Sequence, residues 1–216
     1  MQPWFALDLA LGIAALAAVV GMLVGHGVPL GLLQEDGPVE RATIWAYLAA
    51  VLALPMLRWP GMPRRDTIAA CVLLLALAAR EADLHKAMFG ISILKSRFYL
   101  HGALDQILAA LGVLLPIACA GLWLAVRHGR RWLGPPARWS APVATVAVLV
   151  GTMVFAKVLD RTPETLGQLH LREHLPQAAL YVMLALEEIL ELALPVLALL
   201  AILQCRWLAL HANAAR

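Results

Sequence analysis

The sequence predicts an all-α fold, a polytopic transmembrane helical bundle of six spans that forms a single integral membrane domain over residues 1–216. The chain is 62% hydrophobic and 14% charged, whereas soluble domains are about 45–50% apolar and about 25% charged. The apolar residues also gather in separate runs, with Gly and Pro turn signals between them. The predicted spans cover approximately residues 5–24, 42–57, 67–84, 102–126, 139–159 and 177–203.

Arginine residues determine the predicted orientation of the bundle. The positive-inside rule places arginine-rich loops and tails in the cytoplasm, so both termini are expected there. Lys and Arg are almost as numerous on the other side, and we interpret those as partners for the acids that gather there. A bacterial-type inner membrane is the expected location. The arginines on the cytoplasmic side are Arg58, Arg64, Arg65, Arg127, Arg130, Arg131, Arg138, Arg206 and Arg216.

Spans one and two have the pattern of ordinary apolar helices. Residues 5–24 form an apolar run of about 20 residues, the length that a bilayer requires. The basic flank of a signal peptide is missing, so we expect this run to be retained. Span two follows an acidic turn, and Glu40 lies near its start, where the helix dipole favours an acid.

Span three is too short to cross a bilayer without its charged residues. Its apolar part, residues 67–79, has 13 residues, whereas a crossing needs about 20. We therefore expect the helix to continue through Arg80, Glu81 and Asp83 as far as Lys86. In such a helix Arg80 and Asp83 are neighbours at i, i+3, and Glu81 and His85 are neighbours at i, i+4.

Span five repeats this pattern, because Lys157 and Asp160 follow its apolar run. A new helix is then expected to begin at Thr162 and Pro163, since Thr is a good N-cap and Pro is favoured at the first helical position. Leucines recur after it, which predicts a short amphipathic helix on the outer interface.

Span six carries Glu187, Glu188 and Glu191 in its most apolar stretch. At about 100° per residue the three side chains lie within one arc of roughly 100°. Carboxylates this close cannot all ionise without a nearby cation, and buried charges in spans are functional by default. We therefore predict one outward-facing polar cluster of Glu187, Glu188, Glu191, Arg80, Glu81, Asp83, Lys157 and Asp160.

Two further groups of residues are candidates for binding. His170 and His174 are one helical turn apart, and with Glu81 and His85 they would form a possible divalent metal site. Any other cofactor, and any catalytic residue, is unknown. Lys95, Arg97 and Tyr99 precede span four and are candidates to contact lipid phosphate or to mark the interface.

Three functions remain open from the sequence. The first is binding or translocation of protons, other cations or a small charged solute. The second is a membrane-embedded metal-dependent enzyme that acts on a lipid or isoprenoid, and the third is a non-catalytic assembly or sensor subunit. Whether the protein is an enzyme is therefore undecided. The expected partners are the lipid bilayer and a membrane protein or a second copy. Nucleic acid is excluded, since no basic run is interleaved with aromatics.

Overall fold

The computed structural model describes residues 4–24, 29–33, 37–58, 62–90, 93, 96–101, 103–129, 140–171, 173 and 175–214, without the side chains of residues 96, 97, 101 and 212–214. Helices account for most of these residues, and no strand occurs among them, so the predicted all-α fold is confirmed. The helices are α1 (Phe5–Val24), a one-turn 3₁₀ helix (Leu30–Leu32), α2 (Pro38–Met56), α3 (Arg64–Glu81), α4 (Leu84–Phe89), α5 (Ser96–His101), α6 (Leu104–His128), α7 (Ala141–Gln168) and α8 (Gln177–Ala214).

The helical surfaces are those of a membrane protein. Four helices, α1, α2, α6 and α7, are long and apolar enough to cross a bilayer. Their outward faces carry large apolar side chains, among them Leu11, Leu52 and Leu115, which are 59%, 69% and 64% exposed. Such faces are stable against lipid and costly in water. Crossing by α3 and α8, and therefore the count of six spans and their orientation, stays a prediction.

Helix α8 lies at the centre of the bundle and packs against α1, α2 and α7, while α3 packs between α2 and α6. Helices α1, α3 and α7 run in one direction, and α2, α6 and α8 run in the other. We call the end where α1, α3 and α7 finish the acidic end and the opposite one the basic end. The contacts that show these directions join Gly21 to Val182, Cys71 to Val51, Asp66 to His128, Arg80 to Glu191 and Thr145 to Gln204.

Helices α1 and α8 approach each other backbone to backbone. The face of α1 that meets α8 and α7 includes the small buried residues Ala10, Ala17 and Gly21. A Cβ atom added to Gly21 would lie 2.5 Å from the Cα atom of Val182, so only glycine fits there. Small residues of this kind let membrane helices pack by close van der Waals contact, and here they hold the first half of α8 in place.

The expectation that the third helix continues to Lys86 is wrong. Helix α3 ends at Glu81, and Asp83 adopts a left-handed backbone conformation with φ 46°. Asp is one of the few residues other than glycine that adopt this conformation readily. The Asp83 carbonyl then accepts hydrogen bonds from the N–H groups of Lys86 and Ala87, at 2.8 and 3.0 Å, and α4 begins.

The separate interfacial helix expected after Pro163 is also wrong, because α7 continues through that proline to Gln168. Proline lacks an N–H and usually disturbs a helix interior. The Thr162 and Thr165 hydroxyls donate to the carbonyls of Val158 and Arg161, at 2.6 and 2.9 Å, and support the backbone on both sides. The helix closes only after Gln168, where His170 has φ 55°.

Helices α4 and α5 form a small aromatic cap on the acidic end of α6. Phe98 is 1% exposed and packs with Ile93 against Ala110. Its ring meets those of Phe89 and Tyr99 edge to face, with centroids 5.7 and 5.1 Å apart, an arrangement that adds to burial. Tyr99 therefore packs within the cap. Its predicted lipid contact stays a prediction, and Lys95 and the Arg97 side chain lie outside the described part of the chain.

Candidate functional site

The clearest element of the polar cluster is a guanidinium held between two carboxylates. Arg80 lies in the last turn of α3, and its Nη2 donates to Oε1 of Glu191 on α8 at 2.6 Å. Its Nη1 lies 3.2 Å from Oε1 of Glu81. Glu81 and Glu191 are each 8% exposed. One positive charge thus faces two buried carboxyl groups, and it joins two helices that are 111 residues apart in sequence.

The second part of the cluster lies between α7 and α8. Glu187 is partly buried and lies within electrostatic reach of Asp160, Lys157 and Glu191. Lys157 and Asp160 form an ion pair across one turn of α7. The Glu188 carboxyl is within electrostatic reach of Glu81. We use the name carboxylate cluster for Glu81, Glu187, Glu188, Glu191 and Asp160 with Arg80 and Lys157.

Asp83 is not part of this cluster. Because the chain turns after Glu81, the Asp83 side chain is 49% exposed and pairs with Nζ of Lys86 at 2.5 Å. His85 Nε2 lies 4.0 Å from the same carboxyl group. The expected pairs of Arg80 with Asp83 and of Glu81 with His85 are therefore replaced by contacts within the turn and α4.

Tyr47 on α2 is a residue of the site that the sequence did not indicate. Its side chain is fully buried and packs against Ala78 of α3 and Leu194 of α8. Its hydroxyl is within electrostatic reach of Arg80, Glu81 and Glu191 and has no hydrogen-bond partner among the described residues. A buried polar group normally has a partner. The only available signal was one aromatic hydroxyl in a span of Ala and Leu.

The carboxylate cluster has more acids than bases. Even with Glu188 left aside, four carboxyl groups (Glu81, Glu187, Glu191 and Asp160) lie around two bases, Arg80 and Lys157, among the described residues. A third base, Arg161, lies 4.0 Å from Asp160, but its side chain is 62% exposed and it also pairs with Glu164. Like charges repel strongly where water is scarce. Keeping all four ionised is therefore unfavourable unless a cation enters, and a proton is the smallest one.

The predicted metal site is not supported. Among the described residues, no group of three or more His, Cys, Asp or Glu side chains could hold a metal ion. His85 lies beside Asp83, and His170 is exposed beyond the end of α7, so neither joins Glu81. His174 falls outside the part of the chain that the structure describes.

A second buried carboxylate, also missed, lies at the basic end. Asp66, in the first turn of α3, is 5% exposed. It accepts a hydrogen bond from Nε1 of Trp123 at 2.9 Å, and Nε of Arg127 and Nε2 of His128 each lie 3.0 Å away. The guanidiniums of Arg65 and Arg127 lie over the Trp123 ring, 5.7 and 5.9 Å from its centroid. We call Asp66, Trp123, Arg127 and His128 the Asp66 cluster.

An apolar layer separates the carboxylate cluster from the basic end. Leu194 and Leu197 on α8 and Leu54 on α2 are at most 1% exposed, and they lie one to two turns from Glu191 and Tyr47 in the basic direction. Beyond this layer, the buried Thr145 hydroxyl donates to Oε1 of Gln204 at 2.7 Å. Buried apolar side chains therefore lie between the carboxylate cluster and the basic end.

Comparison with protein-family models, with curated proteins and with solved structures finds no match for this chain.

Proposed function

We propose that this protein binds protons or small cations in the carboxylate cluster and translocates them across a bacterial-type inner membrane. In this proposal all six long helices cross the bilayer and the acidic end faces outward. Helix α8 has 38 residues, or about 57 Å at 1.5 Å per residue, which exceeds the hydrocarbon thickness of about 30 Å. The partners in this proposal are the bilayer and a second copy or another membrane protein.

The observation that carries the proposal is the excess of carboxyl groups over bases in a partly buried site. A structural ion pair needs equal numbers, and unmatched carboxyls at such depth are costly. Here Glu187 lies within electrostatic reach of both Asp160 and Glu191. Neighbouring carboxyls in a partly buried site are stabilised by a proton or another cation between them. The cluster therefore has the chemistry of a reversible cation site.

Movement across the membrane requires access to alternate between the two ends. The apolar layer of Leu54, Leu194 and Leu197 blocks the basic direction. Pro195 lies in α8 beside this layer and is fully buried. Because proline cannot donate to the carbonyl of Glu191, that carbonyl is released at the cluster. Proline within a membrane helix weakens the backbone hydrogen bonding at that point, so α8 is the proposed moving element.

Flux into proteoliposomes tests this proposal. Purified protein is reconstituted with a pH-sensitive or sodium-sensitive dye inside the vesicles, and a gradient is imposed. Glu187→Gln and Glu191→Gln should each lower the flux at least about tenfold, which corresponds to about 1.4 kcal/mol. Glu164→Gln is the matched control, because Glu164 is exposed on α7 and its ion pair within the described part of the chain is a local one, with Arg161 at 3.4 Å. Wild-type flux in both cluster variants would contradict the proposal.

A role as an assembly or sensor subunit is the second candidate. It is favoured by the position of Arg80, whose charge is balanced within the chain by Glu81 and Glu191. In that case the pair would be structural, and exchanging the two charges as Arg80→Glu with Glu191→Arg should restore the folded yield that each single change removes. The same double variant should carry no flux if the first proposal holds. No feature of the described residues favours a metal-dependent enzyme.

A further inference from the structure

Two buried oxygen atoms lack hydrogen-bond partners at the bottom of the carboxylate cluster. They are the Tyr47 hydroxyl on α2 and Oε1 of Glu81 on α3, in residues that are 0% and 8% exposed. The contact of Glu81 Oε1 with Arg80, at 3.2 Å, is ionic and lacks hydrogen-bond geometry. Leaving a buried polar atom unsatisfied is unfavourable, and the Tyr47 hydroxyl lies within electrostatic reach of Glu81.

The packing shows where this position lies. The Tyr47 side chain is in one core cluster with Ala78 and Leu194. Ala78 is one turn before Glu81, and Leu194 is one turn after Glu191. Because α3 runs toward the acidic end and α8 runs away from it, both contacts place the Tyr47 ring on the basic side of the two carboxyls. Tyr47 is therefore the floor of the cluster, directly above the apolar layer.

The charges around this floor select the kind of ligand. The groups that face Tyr47 and Glu81 are Arg80 on α3 with Glu188 and Glu191 on α8. Arg80 pairs with Glu191 and lies 3.2 Å from Glu81. Of the two free ligand groups, the Glu81 carboxylate brings one negative charge and the Tyr47 hydroxyl brings none. The free ligand atoms are a phenol oxygen and a carboxylate oxygen. Oxygen ligands with one net negative charge suit a small hard cation of single charge, whereas Ca²⁺ and Zn²⁺ need more ligands or softer ones.

We propose that Tyr47 and Glu81 coordinate one small monovalent cation, Na⁺ or hydronium, at the floor of the carboxylate cluster. This inference rests on the proposed function and names its ligand and two of its binding atoms. The Tyr47 oxygen and the Glu81 carboxylate serve as ligands, and Arg80 pairs with the neighbouring Glu191 at 2.6 Å. The site is the innermost point that a cation entering from the acidic end reaches before the apolar layer.

Thermal unfolding of the purified full-length protein in detergent tests this site. The protein is heated in NaCl, KCl or choline chloride of equal ionic strength, at pH 8 and at pH 6. If Na⁺ is the ligand, NaCl at pH 8 raises the Tm above its value in choline by about 4 °C once Na⁺ is in tenfold excess over its Kd. If hydronium is the ligand, the Tm in choline rises by a similar amount from pH 8 to pH 6, and NaCl adds nothing.

The variants assign the response to the two residues. Tyr47→Phe should lower whichever shift the wild type shows to less than half. Tyr181→Phe is the matched control, because the Tyr181 hydroxyl already accepts from Gln177 Nε2 at 2.8 Å and lies on the first turns of α8. If Tyr47→Phe does not fold, Glu81→Gln takes its place in the same measurement. Equal shifts in the wild type and the folded variant, or no shift in the wild type, would overturn the inference.

Failure of this inference is distinguishable from failure of the proposed function. If Tyr47→Phe keeps the wild-type response while Glu187→Gln and Glu191→Gln abolish flux, the cluster still handles cations and the floor site is wrong. If both glutamine variants keep wild-type flux, the proposed function is wrong, whatever the response of Tyr47→Phe.

Discussion

The bundle contains two buried carboxylate centres at its opposite ends, and they are built differently. Asp66 is a single carboxylate surrounded by Trp123, Arg127 and His128, each with a nitrogen within 3.0 Å of its oxygens. The carboxylate cluster reverses this ratio, since Glu81 and Glu191 share the one guanidinium of Arg80. Both centres connect α3 to a distant helix. Only the second leaves charge and hydrogen-bonding capacity unused.

From this difference we infer a structural role for the Asp66 cluster and a binding role for the carboxylate cluster. A buried carboxylate with three donors has its desolvation compensated within the protein, so Asp66 needs no ligand. The carboxylate cluster, with excess carboxyls and an unpartnered Tyr47 hydroxyl, is the cation site that we propose. Residue type alone does not separate the two cases. The two cases are separated by the number of hydrogen-bond donors available to each carboxylate.

The largest effect is expected from Arg80→Met. The change leaves Glu81 and Glu191 buried without a counter-charge and should lower the free energy of unfolding by about 3 kcal/mol. Chemical denaturation in detergent measures it. Lys86→Met is the control, since the Lys86 side chain is 53% exposed and an exposed pair contributes about 0.5 kcal/mol. Stability equal to the wild type in Arg80→Met would show that the cluster does not depend on this bridge.

Asp66→Ala should have the next largest effect, about 2 kcal/mol, because it removes the shared acceptor of three donors. The cost stays below that of Arg80→Met because the Arg127 side chain is 44% exposed and can regain water. Asp8→Ala, an exposed acid in the first turn of α1, should cost about 0.5 kcal/mol. Equal losses of unfolding free energy in Asp66→Ala and Asp8→Ala, measured by the same denaturation, would argue against a structural role for the Asp66 cluster.

Trp123→Phe tests a single contact of the Asp66 cluster. It removes the indole N–H that donates to Asp66 at 2.9 Å and weakens the stacking of Arg65 and Arg127, so a loss of about 1 kcal/mol is expected. Cation flux should remain at the wild-type level, since the Asp66 cluster lies beyond the apolar layer. Trp45→Phe, at a side chain that is 70% exposed, is the control for stability. A change in flux with Trp123→Phe would link the two centres.

The smallest stability effect is expected from Glu81→Gln, within about 0.5 kcal/mol of the wild type. The amide keeps the shape of the side chain, removes one unmatched charge and leaves Arg80 paired with Glu191 at 2.6 Å. Asp66→Asn at the other centre should cost more, since Arg127 loses its counter-charge. Comparing the two conservative amide variants by denaturation gives the sharpest contrast. A larger loss of unfolding free energy in Glu81→Gln than in Asp66→Asn would contradict a binding role for Glu81 and a structural role for Asp66.

Several features of the fold could be predicted because they depend on local sequence. The first span, residues 5–24, and the start of the last at residue 177 agree with α1 and α8, since apolar runs with polar flanks define both. The end of α3 could not be predicted, because Asp83 adopts a backbone conformation that is uncommon outside glycine. The continuation of α7 through Pro163 was missed as well. There the neighbouring Thr162 and Thr165 hydroxyls bond helix carbonyls.

The candidate site was predictable only in part, for a related reason. Spacing on one helix placed Glu187, Glu188 and Glu191 on one face, and the short third span pointed to Arg80 and Glu81. Tyr47 was not found, because its role depends on packing against Ala78 and Leu194 from two other helices. The Asp66 cluster was missed since its members are 57 to 62 residues apart. The available signal was a set of polar residues at the ends of spans three and four that face the same side.

Infrared spectroscopy of the carboxyl C=O stretch in sodium-free buffer at neutral pH tests most directly whether the carboxylate cluster holds a cation and the Asp66 cluster does not. With four carboxyls on two bases, the wild type should show the band of a protonated carboxylic acid. The double variant Glu187→Gln with Glu191→Gln, which leaves Glu81 and Asp160 matched to Arg80 and Lys157, should lose it. Asp66→Asn should retain it. No such band in the wild type, or an unchanged band in the double variant, would contradict the account.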